Sequence, residues 1–366
     1  MNVPKLRFKE FNNLWQNEKL EDAVEFLDEK RKPIKDSDRN NIKGEYPYYG
    51  ASGIIDYIND YIFDEDLLLL GEDGANILSR STKLVFKATG KYWVNNHAHV
   101  LKPKENYNID FLESYLENIN YESYNTGTAQ PKLNKEVCKK INIKIPSLKE
   151  QIKIGKTLSI LDKKIELQSK KIEDLKLFKK SLILDKKNND NNWYEYKISD
   201  ILNITRGIVI SKNDINANMD DEHIYPVYSS QTSNDGILGY DDNYDFDGKY
   251  LTWTTDGANA GKVFYRNGKF RCTNVCGVLY NKNNEFVNIL TAELLNIETP
   301  RHVSYVGNPK LMNNVMADIK VKLPPKSEER VLSGFLTIIN NKIFYENLKL
   351  SKIIKFKKGL MQSMFV

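Results

Sequence analysis

Two stretches of the chain place an apolar residue alternately four and three positions apart. The first runs Ile154, Leu158, Leu161, Ile165, Gln168, Ile172, Leu175, Lys179, Leu182. The second runs Leu332, Leu336, Ile339, Ile343, Glu346, Leu350, Ile353, Lys357, Leu360. Seven of nine positions are apolar in each, and this spacing predicts two long helices packed as a coiled coil. Each run follows a short apolar-alternating stretch closed by proline, Ile143-Lys144-Ile145-Pro146 and Val321-Lys322-Leu323-Pro324. The proline ends the strand and sets the entry into the helix. A helix of about 36 residues spans about 54 Å. Neither apolar face is stable uncovered; the obvious cover is the other copy, antiparallel under twofold-like packing, and the alternative is that each helix packs on its own globular part. In the antiparallel pair Gln168 and Glu346, the polar residues at mid-seam, face each other and fix the register at some cost in stability.

Ahead of each helix the pattern changes to short, aromatic-rich alternating runs broken by Gly, Asn and Asp. Strand-forming segments are Tyr46 to Tyr57, Leu67 to Leu70, Leu84 to Phe86 and Val94 to Leu101. Their later counterparts are Tyr225 to Ser229, Tyr250 to Thr254, Val263 to Arg266 and Val275 to Tyr280. Helices are expected from Ile109 to Ile119 and from Val287 to Leu295. The fold class is α+β, in two similar halves.

The halves repeat at an offset of 178 residues: Trp15 and Trp193, Asn96 and Asn274, Leu158 and Leu336, Phe178 and Phe356, Pro131-Lys132-Leu133 and Pro309-Lys310-Leu311. A few pairs drift, as with Tyr46 and Tyr225, or Asp73-Gly74-Ala75-Asn76 and Asp256-Gly257-Ala258-Asn259. A repeat this long means two copies of one module rather than a solenoid. The expected divisions are 1–148 and 188–325 for the two globular parts, with helices over 149–187 and 326–366; Lys186 to Asn192 reads as a polar linker. Tyr46, Tyr225, Trp15 and Trp193 are expected in the core.

The chain has 366 residues and a net charge of +5. Lys149 to Lys187 holds twelve Lys against six acids, and Lys326 to Met364 holds eight Lys or Arg against three, which leaves the rest of the chain at −6. The positive charge belongs to the helices, so the globular parts bind through local patches and not a general field. No apolar run approaches the length of a membrane span, and residues 1–10 lack the apolar stretch of a signal peptide. Cys138, Cys272 and Cys276 make no disulfide framework, which fits a reducing cytoplasm.

Catalytic signatures are missing. Gly257-Ala258-Asn259-Ala260-Gly261-Lys262-Val263 resembles a phosphate loop, but three residues separate the glycines where four are needed, and Val263 stands where Ser or Thr would bind magnesium. Both it and the Gly74–Ser79 stretch read as strand-connecting turns. Cys272 and Cys276 lack a second pair of zinc ligands. His97 and His99 fall on one face of a strand as metal ligands would, with a structural or base-contacting role the stronger expectation. No metal or other cofactor is expected on this chain.

The order Tyr225-Pro226-Val227-Tyr228-Ser229-Ser230, Gly236-Ile237-Leu238-Gly239-Tyr240 and Thr255-Asp256-Gly257-Ala258-Asn259-Ala260-Gly261-Lys262-Val263, echoed by Tyr46-Pro47-Tyr48-Tyr49-Gly50, Gly53-Ile54-Ile55-Asp56-Tyr57 and Gly71-Glu72-Asp73-Gly74-Ala75-Asn76, resembles the target recognition domain of specificity (S) subunits of Type I restriction–modification enzymes. Ile145-Pro146-Ser147-Leu148-Lys149-Glu150-Gln151 with Leu158, Leu161, Asp162 and Ile165 is similar to that family's helical conserved region. The second copy departs from it at Glu329 and Asn340. The resemblance implies a non-catalytic subunit whose two target recognition domains each read half of a split double-stranded DNA sequence. It implies two methyltransferase (M) subunits and two nuclease-translocase (R) subunits as partners, with S-adenosylmethionine, ATP and magnesium belonging to them. One turn of DNA is about 34–36 Å, so a spacer of about 54 Å suits two readers with unread base pairs between. A tandem nucleic-acid- or protein-binding module that recruits some other partner through its coiled coil is the alternative.

Base readout needs side chains with paired hydrogen-bonding points on exposed loops, and phosphates need Lys, Arg, Ser or Thr. On those grounds the candidates in the first half are Tyr49, Ser52, Arg80, Asn96, His97, Asn125, Thr126 and Lys132. In the second they are Arg206, Ser230, Gln231, Thr232, Asn259, Lys262, Thr273, Asn274, Arg301 and Lys310. Each Asn has the competing reading of a turn residue.

Overall fold

A computed structural model describes residues 3–189, 192–211 and 214–365. The chain forms two compact units that do not follow the sequence repeat. Unit 1 comprises Met1–Lys170 and Leu348–Val366, and unit 2 comprises Lys171–Asn347. Each unit therefore holds half of both long helices. These run Leu148–Asn189, the central helix, and Lys326–Met364, the C-terminal helix. Lys186 to Asn189 continue the central helix where a linker was expected. Asn, Asp and Lys do not stop a helix that packing already supports; residues 190–191 lie outside the described residues.

In unit 1 the short strand Gln16–Lys19 pairs antiparallel with Asn142–Ile145, directly before the central helix. Two four-stranded sheets follow within the described residues. In one, the apolar strand Leu67–Gly71 lies between Ala98–Pro103 and Val85–Ala88. All five of its residues are buried, as a strand covered on both faces must be. In the other, the hairpin Lys43–Gly50 and Gly53–Ile58 packs beside Lys91–Val94, which it meets in parallel register. The expected strand from Tyr46 to Tyr57 is thus a hairpin turned at Ala51-Ser52, and Gly53, at φ 123°, supplies a backbone conformation that L side chains avoid. Val94 to Leu101 is likewise two strands, broken by a turn at residues 95–97. In the Gly74–Ser79 stretch a single helical turn, Asn76–Ser79, replaces the simple connection expected.

Unit 2 repeats the topology as one six-stranded sheet. The difference arises at one glycine pair. Gly90, at φ 69°, separates Val85–Ala88 from Lys91–Val94, whereas its counterpart Gly268 sits opposite Gly248 inside the continuous strand Val263–Cys272. That strand pairs with Phe246–Thr254 along one part and in parallel with Tyr225–Tyr228 at its end, so the two sheets merge.

The helical seam is the buried side of both helices. Ile154, Leu158, Ile172, Leu332, Leu336, Glu346 and Lys357 are buried, and the other seam positions are partly buried. Within unit 2, Lys171 meets Glu346 at 2.8 Å and Lys179 meets Asn340 at 3.1 Å; residue number rises on one helix as it falls on the other. The helices therefore run antiparallel. Glu346, only 2 % exposed, also takes Lys342 at 3.2 Å, the pairing a buried carboxylate requires. Within unit 1, Lys357 donates to Asp162 at 2.5 Å. Met361, Met364 and Phe365 enter the core beside Trp15, Phe111, Ile154 and Leu158.

Trp15 and Trp193 are buried as expected, but Tyr46 and Tyr225 are only half-buried. Each instead meets a second tyrosine edge-on, Tyr61 at 5.1 Å and Tyr244 at 5.0 Å between ring centres. Rim aromatics of this kind keep the hydroxyl in water while the ring packs.

His99 is 1 % exposed and sandwiched between acceptors. Nδ1 faces Asp28 Oδ2 at 2.7 Å and Nε2 faces the Leu133 carbonyl at 2.8 Å, so both nitrogens donate and the ring is the imidazolium. Burial pushes its pKa down, but the Asp28 hydrogen bond overrides this and raises it to about 10. A raised folded-state pKa gives stability that is whole below the unfolded value near 6.5 and is lost as pH climbs through about 10. We expect the unfolding free energy to fall by roughly 2–4 kcal/mol over that window, and His99→Gln to remove this slope. Urea titrations of both proteins from pH 6 to pH 10 check it; parallel curves would refute the charged assignment.

Candidate nucleic-acid interface

Three loops of unit 1 meet at one end of the fully buried strand Leu67–Gly71. They cover residues 72–76, 95–98 and 125–133. Backbone bonds join them: Glu72 N–H to the His97 carbonyl at 2.8 Å, Gly74 N–H to Pro131 at 3.0 Å, Leu133 N–H to Glu72 at 2.7 Å. Unit 2 builds the same junction from residues 255–262, 273–275 and 301–311. Thr255 N–H donates to Val275 at 3.1 Å, Gly257 N–H to Pro309 at 3.0 Å and Leu311 N–H to Thr255 at 2.9 Å. The single-pair bridges Asp73–Lys132 and Asp256–Lys310 are counterparts. Satisfying loop backbone this fully makes a rigid platform, and rigid loops on a scaffold are where readers are carried.

The junction gathers a subset of the sequence candidates. In unit 1, Asn96, His97, Thr126 and Lys132 are exposed there, and in unit 2 Asn259, Asn274 and Lys310 are exposed. Asn96 and Asn274, and Lys132 and Lys310, hold equivalent positions; His97 corresponds to Val275. Each lysine leans on an acid, Lys132 on Glu72 at 3.3 Å and Lys310 on Asp256 at 3.8 Å. Glu72 also pairs with Arg31 at 2.7 Å. Burial would raise the Glu72 pKa, but Arg31, His99 and Lys132 hold it below the usual range. His97 faces Asp73 at 2.8 Å while His99 points inward to Asp28, so the two do not share a face. Among the described residues no group of three His, Cys, Asp or Glu is placed to hold a metal.

Other candidates serve the frame. Asn125 Oδ1 accepts from Gly127 N–H at 3.0 Å and Lys132 N–H at 2.9 Å, the turn role its type allowed. Tyr49 stacks on Phe86 at 5.7 Å. Arg80 adopts a left-handed backbone and pairs with Glu117 at 2.7 Å. Arg206 reaches Asn313 at 3.3 Å. Thr273, expected on an exposed loop, is buried and donates its hydroxyl to Ser229 at 2.9 Å. Ser52 is exposed in its hairpin turn, and Ser230, Gln231 and Thr232 sit half-buried at the corresponding place, where Gln231 donates to the Ile237 carbonyl.

Two features escaped the sequence reading. Arg266, 4 % exposed, lies 3.6 Å over the Tyr228 ring and pairs with Asp235 at 2.7 Å, fixing the 231–236 loop; a strand position gave no sign of a buried arginine. Tyr305 and Val306 are 68 % and 92 % exposed on the 304–310 loop, a visible apolar pair in a polar turn. Lys262 and Arg301, at the ends of the junction segments, line a cleft of about 900 Å³ in unit 2.

Comparison with known proteins agrees with the repeat. The profile of the Type I restriction modification DNA specificity domain matches residues 12–177 and again 190–355. A putative type I specificity subunit of Mycoplasma pneumoniae is 36% identical over 252 residues, covering 61% of this chain and 98% of that protein. Another from the same organism is 38% identical over 221 residues, 58% of this chain and 80% of its own. The crystal structure of a Type-I restriction-modification S subunit from M. genitalium superposes with TM-score 0.70 at 16% identity, covering 100% of this chain and 99% of that one; it shares the fold.

The junction depends on Asn125. Asn125→Ala removes the one oxygen that accepts from both amides, and with about 1–3 kcal/mol per stranded group the Gly127 and Lys132 amides should exchange with solvent about 5- to 100-fold faster. Native-state hydrogen exchange reads this directly; unchanged protection at both amides would show that another group holds the loop.

Proposed function

The chain belongs to the Type I restriction–modification DNA specificity family, and on that premise we propose that it reads a split double-stranded DNA target, one half through the loop junction of each unit. Specificity subunits are non-catalytic and give the system its DNA sequence choice. The observation that carries the split reading is the doubled junction. Its frame is the same in both units, while the side chains it carries differ: His97 against Val275, and Thr126 to Gln130 against Ser304 to Asn308. A shared frame with different readers recognises two different half-sites. Asn96 and Asn274 suit bidentate contact with adenine, and Lys132 and Lys310 suit phosphate or guanine. Ser52, Ser230 and Thr232 extend the face as hydroxyl donors.

Partners of the chain are DNA and the M and R subunits in general. We propose two M subunits, because the helices present one apolar stripe twice. Ile160 and Ile338 are 59% and 67% exposed, Leu167 and Tyr345 58% and 65%, Phe178 and Phe356 57% and 59%. Each pair holds equivalent repeat positions, and 160, 167 and 178 fall on one face of a helix with 3.6 residues per turn. Exposed apolar stripes outside a packed seam mark partner sites. Two R subunits would then join the complex. S-adenosylmethionine, ATP and magnesium would come with M and R, for adenine methylation or cleavage; this chain's residues bind DNA and dock the subunits. Among the described residues no helix is long and apolar enough to cross a membrane.

The test is the methylation motif of a host expressing this chain with its M subunit, read by methylation-sensitive long-read sequencing. Asn274→Ala with Lys310→Ala should relax one half of a bipartite motif by about 10- to 100-fold, from about 1–3 kcal/mol per base contact, and leave the other half intact; Asn96→Ala should do the converse. A motif without two halves, or one altered throughout by either variant, would overturn the reading. Phe178→Ser and Phe356→Ser should each cost one M subunit in the mass of the purified complex.

A further inference from the structure

The central helix, the Gly257–Gly261 turn and the 299–301 segment enclose a cleft of about 900 Å³ wholly within unit 2. Its cations are Lys176, Lys179, Lys180, Lys262 and Arg301; its carboxylates are Asp235 and Glu293. Asp235 is already committed to Arg266 at 2.7 Å. Glu293 is taken by Lys179 at 2.7 Å, and the second acceptor of Lys179 is the neutral amide of Asn340 at 3.1 Å. Arg301 pairs with Glu298 at 3.2 Å, which Lys187 also meets. Lys176, Lys180 and Lys262 remain without a carboxylate partner among the described residues, so the cleft is in positive excess. Desolvation there, reinforced by the like charges of Lys179 and Lys176, keeps the Lys262 ammonium below the ordinary lysine range despite the attraction of Glu293.

Unit 1 carries the corresponding groups already paired. Lys357 matches Lys179, Glu113 matches Glu293 and Asp162 matches Asn340. Lys357 donates to Asp162 at 2.5 Å, and Lys83 spans Asp162 at 3.5 Å and Glu113 at 3.2 Å. Two ammonium groups thus meet two carboxylates in one closed network. Asp162 against Asn340 replaces a carboxylate with a neutral amide, and Ile354 and Ser123 stand where unit 2 has Lys176 and Arg301, so unit 1 closes its charge network where unit 2 leaves one open.

The open cleft shares two lining residues with the unit 2 junction. Lys262 directly follows the Gly257–Gly261 turn, and Arg301 precedes the 304–310 loop by two residues; both segments build the unit 2 junction. We propose that the cleft holds a backbone phosphodiester of the DNA half-site read by unit 2, gripped by Lys262, Lys179 and Arg301, and that Asp162 bars phosphate from the equivalent place in unit 1. This rests on the reading of the chain as a DNA specificity subunit. A phosphodiester fits better than an acidic side chain because Lys262 and Arg301, which line the cleft, belong to the two segments that build the unit 2 junction, and positioning contacts flank base contacts. The two half-sites are then held with unequal salt sensitivity.

The test uses the full chain with its M subunit and a fluorescent duplex bearing the target found by sequencing, titrated from roughly 50 to 200 mM salt. Each phosphate contact adds about 0.9 to the slope of log K against log salt. Asn340→Asp, which installs the unit 1 carboxylate, and Lys262→Met should each lower the slope by about one, while Lys262→Arg keeps it. Asn340→Asp is nearly isosteric and gives Lys179 a stronger acceptor, so it tests the site without opening the core. A wild-type slope in both Asn340→Asp and Lys262→Met overturns the phosphate site. Weaker M-subunit capture at unchanged slope also overturns it, in favour of a protein contact. Failure of the wild-type complex to bind the duplex sinks the specificity reading itself.

Discussion

A helix with an apolar face repeated every three and four residues has no stable state alone, and the structure follows from how that face is covered. Ile154 and Leu158 are covered within the unit 1 core and Leu332 and Leu336 within the unit 2 core. The helices are tied to each other, antiparallel, through Lys171–Glu346 and Lys179–Asn340 in unit 2 and Asp162–Lys357 in unit 1. Polar residues at these seam positions are partnered, which removes the penalty of burying them singly and penalises any shifted register. The cover also decides what a compact unit is. Neither unit is one contiguous repeat, because each borrows helix from the other half of the sequence.

On that base the two globular parts keep one topology through different hydrogen-bonding detail. A clamp of two short strands precedes each helix, Gln16–Lys19 with Asn142–Ile145 and Tyr194–Lys197 with Lys320–Leu323. A parallel strand pair recurs at Tyr48–Trp93 and Val227–Arg271. The loop junction recurs bond for bond at Gly74–Pro131 and Gly257–Pro309. What varies is how Gly90 and Gly268 are used, and which side chains stand on the junction. Frame and reader are thus physically separable: backbone bonds fix the frame, so exposed residues are free to differ.

The helices were legible in the sequence because a 3.5-residue period over nine positions is a long signal, and every seam residue is indeed buried or half-buried. The repeat was legible because identical spacing needs no structure to be seen. The strands were less so. Tyr46 to Tyr57 conceals a hairpin whose turn is set by Gly53, and Val94 to Leu101 conceals a break at Asn95, which caps the His97 amide at 2.8 Å; local alternation carries no record of such turns. The placement of the candidate residues was half legible. Asn96, His97, Thr126, Lys132, Asn259, Asn274 and Lys310 do reach the surface at the junction, but Asn125, Arg80 and Thr273 spend their polar atoms on the fold. Residue type tells that a group forms hydrogen bonds, not with what. The buried ion pair His99–Asp28 and the stacked Arg266 were invisible because partners 71 and 31 positions away leave no local pattern.

The borrowed helix has a consequence for synthesis. Met361, Met364 and Phe365 close the core around Trp15 and Phe111, yet they leave the ribosome only after the whole of unit 2. Nascent unit 1 must wait with an open apolar seat, since domains ordinarily fold as they emerge. Unit 2, whose residues are contiguous, has no such delay. The first module made is the last to be sealed, and a ribosome that stalls after unit 2 yields a chain with one finished reader and one unfinished one.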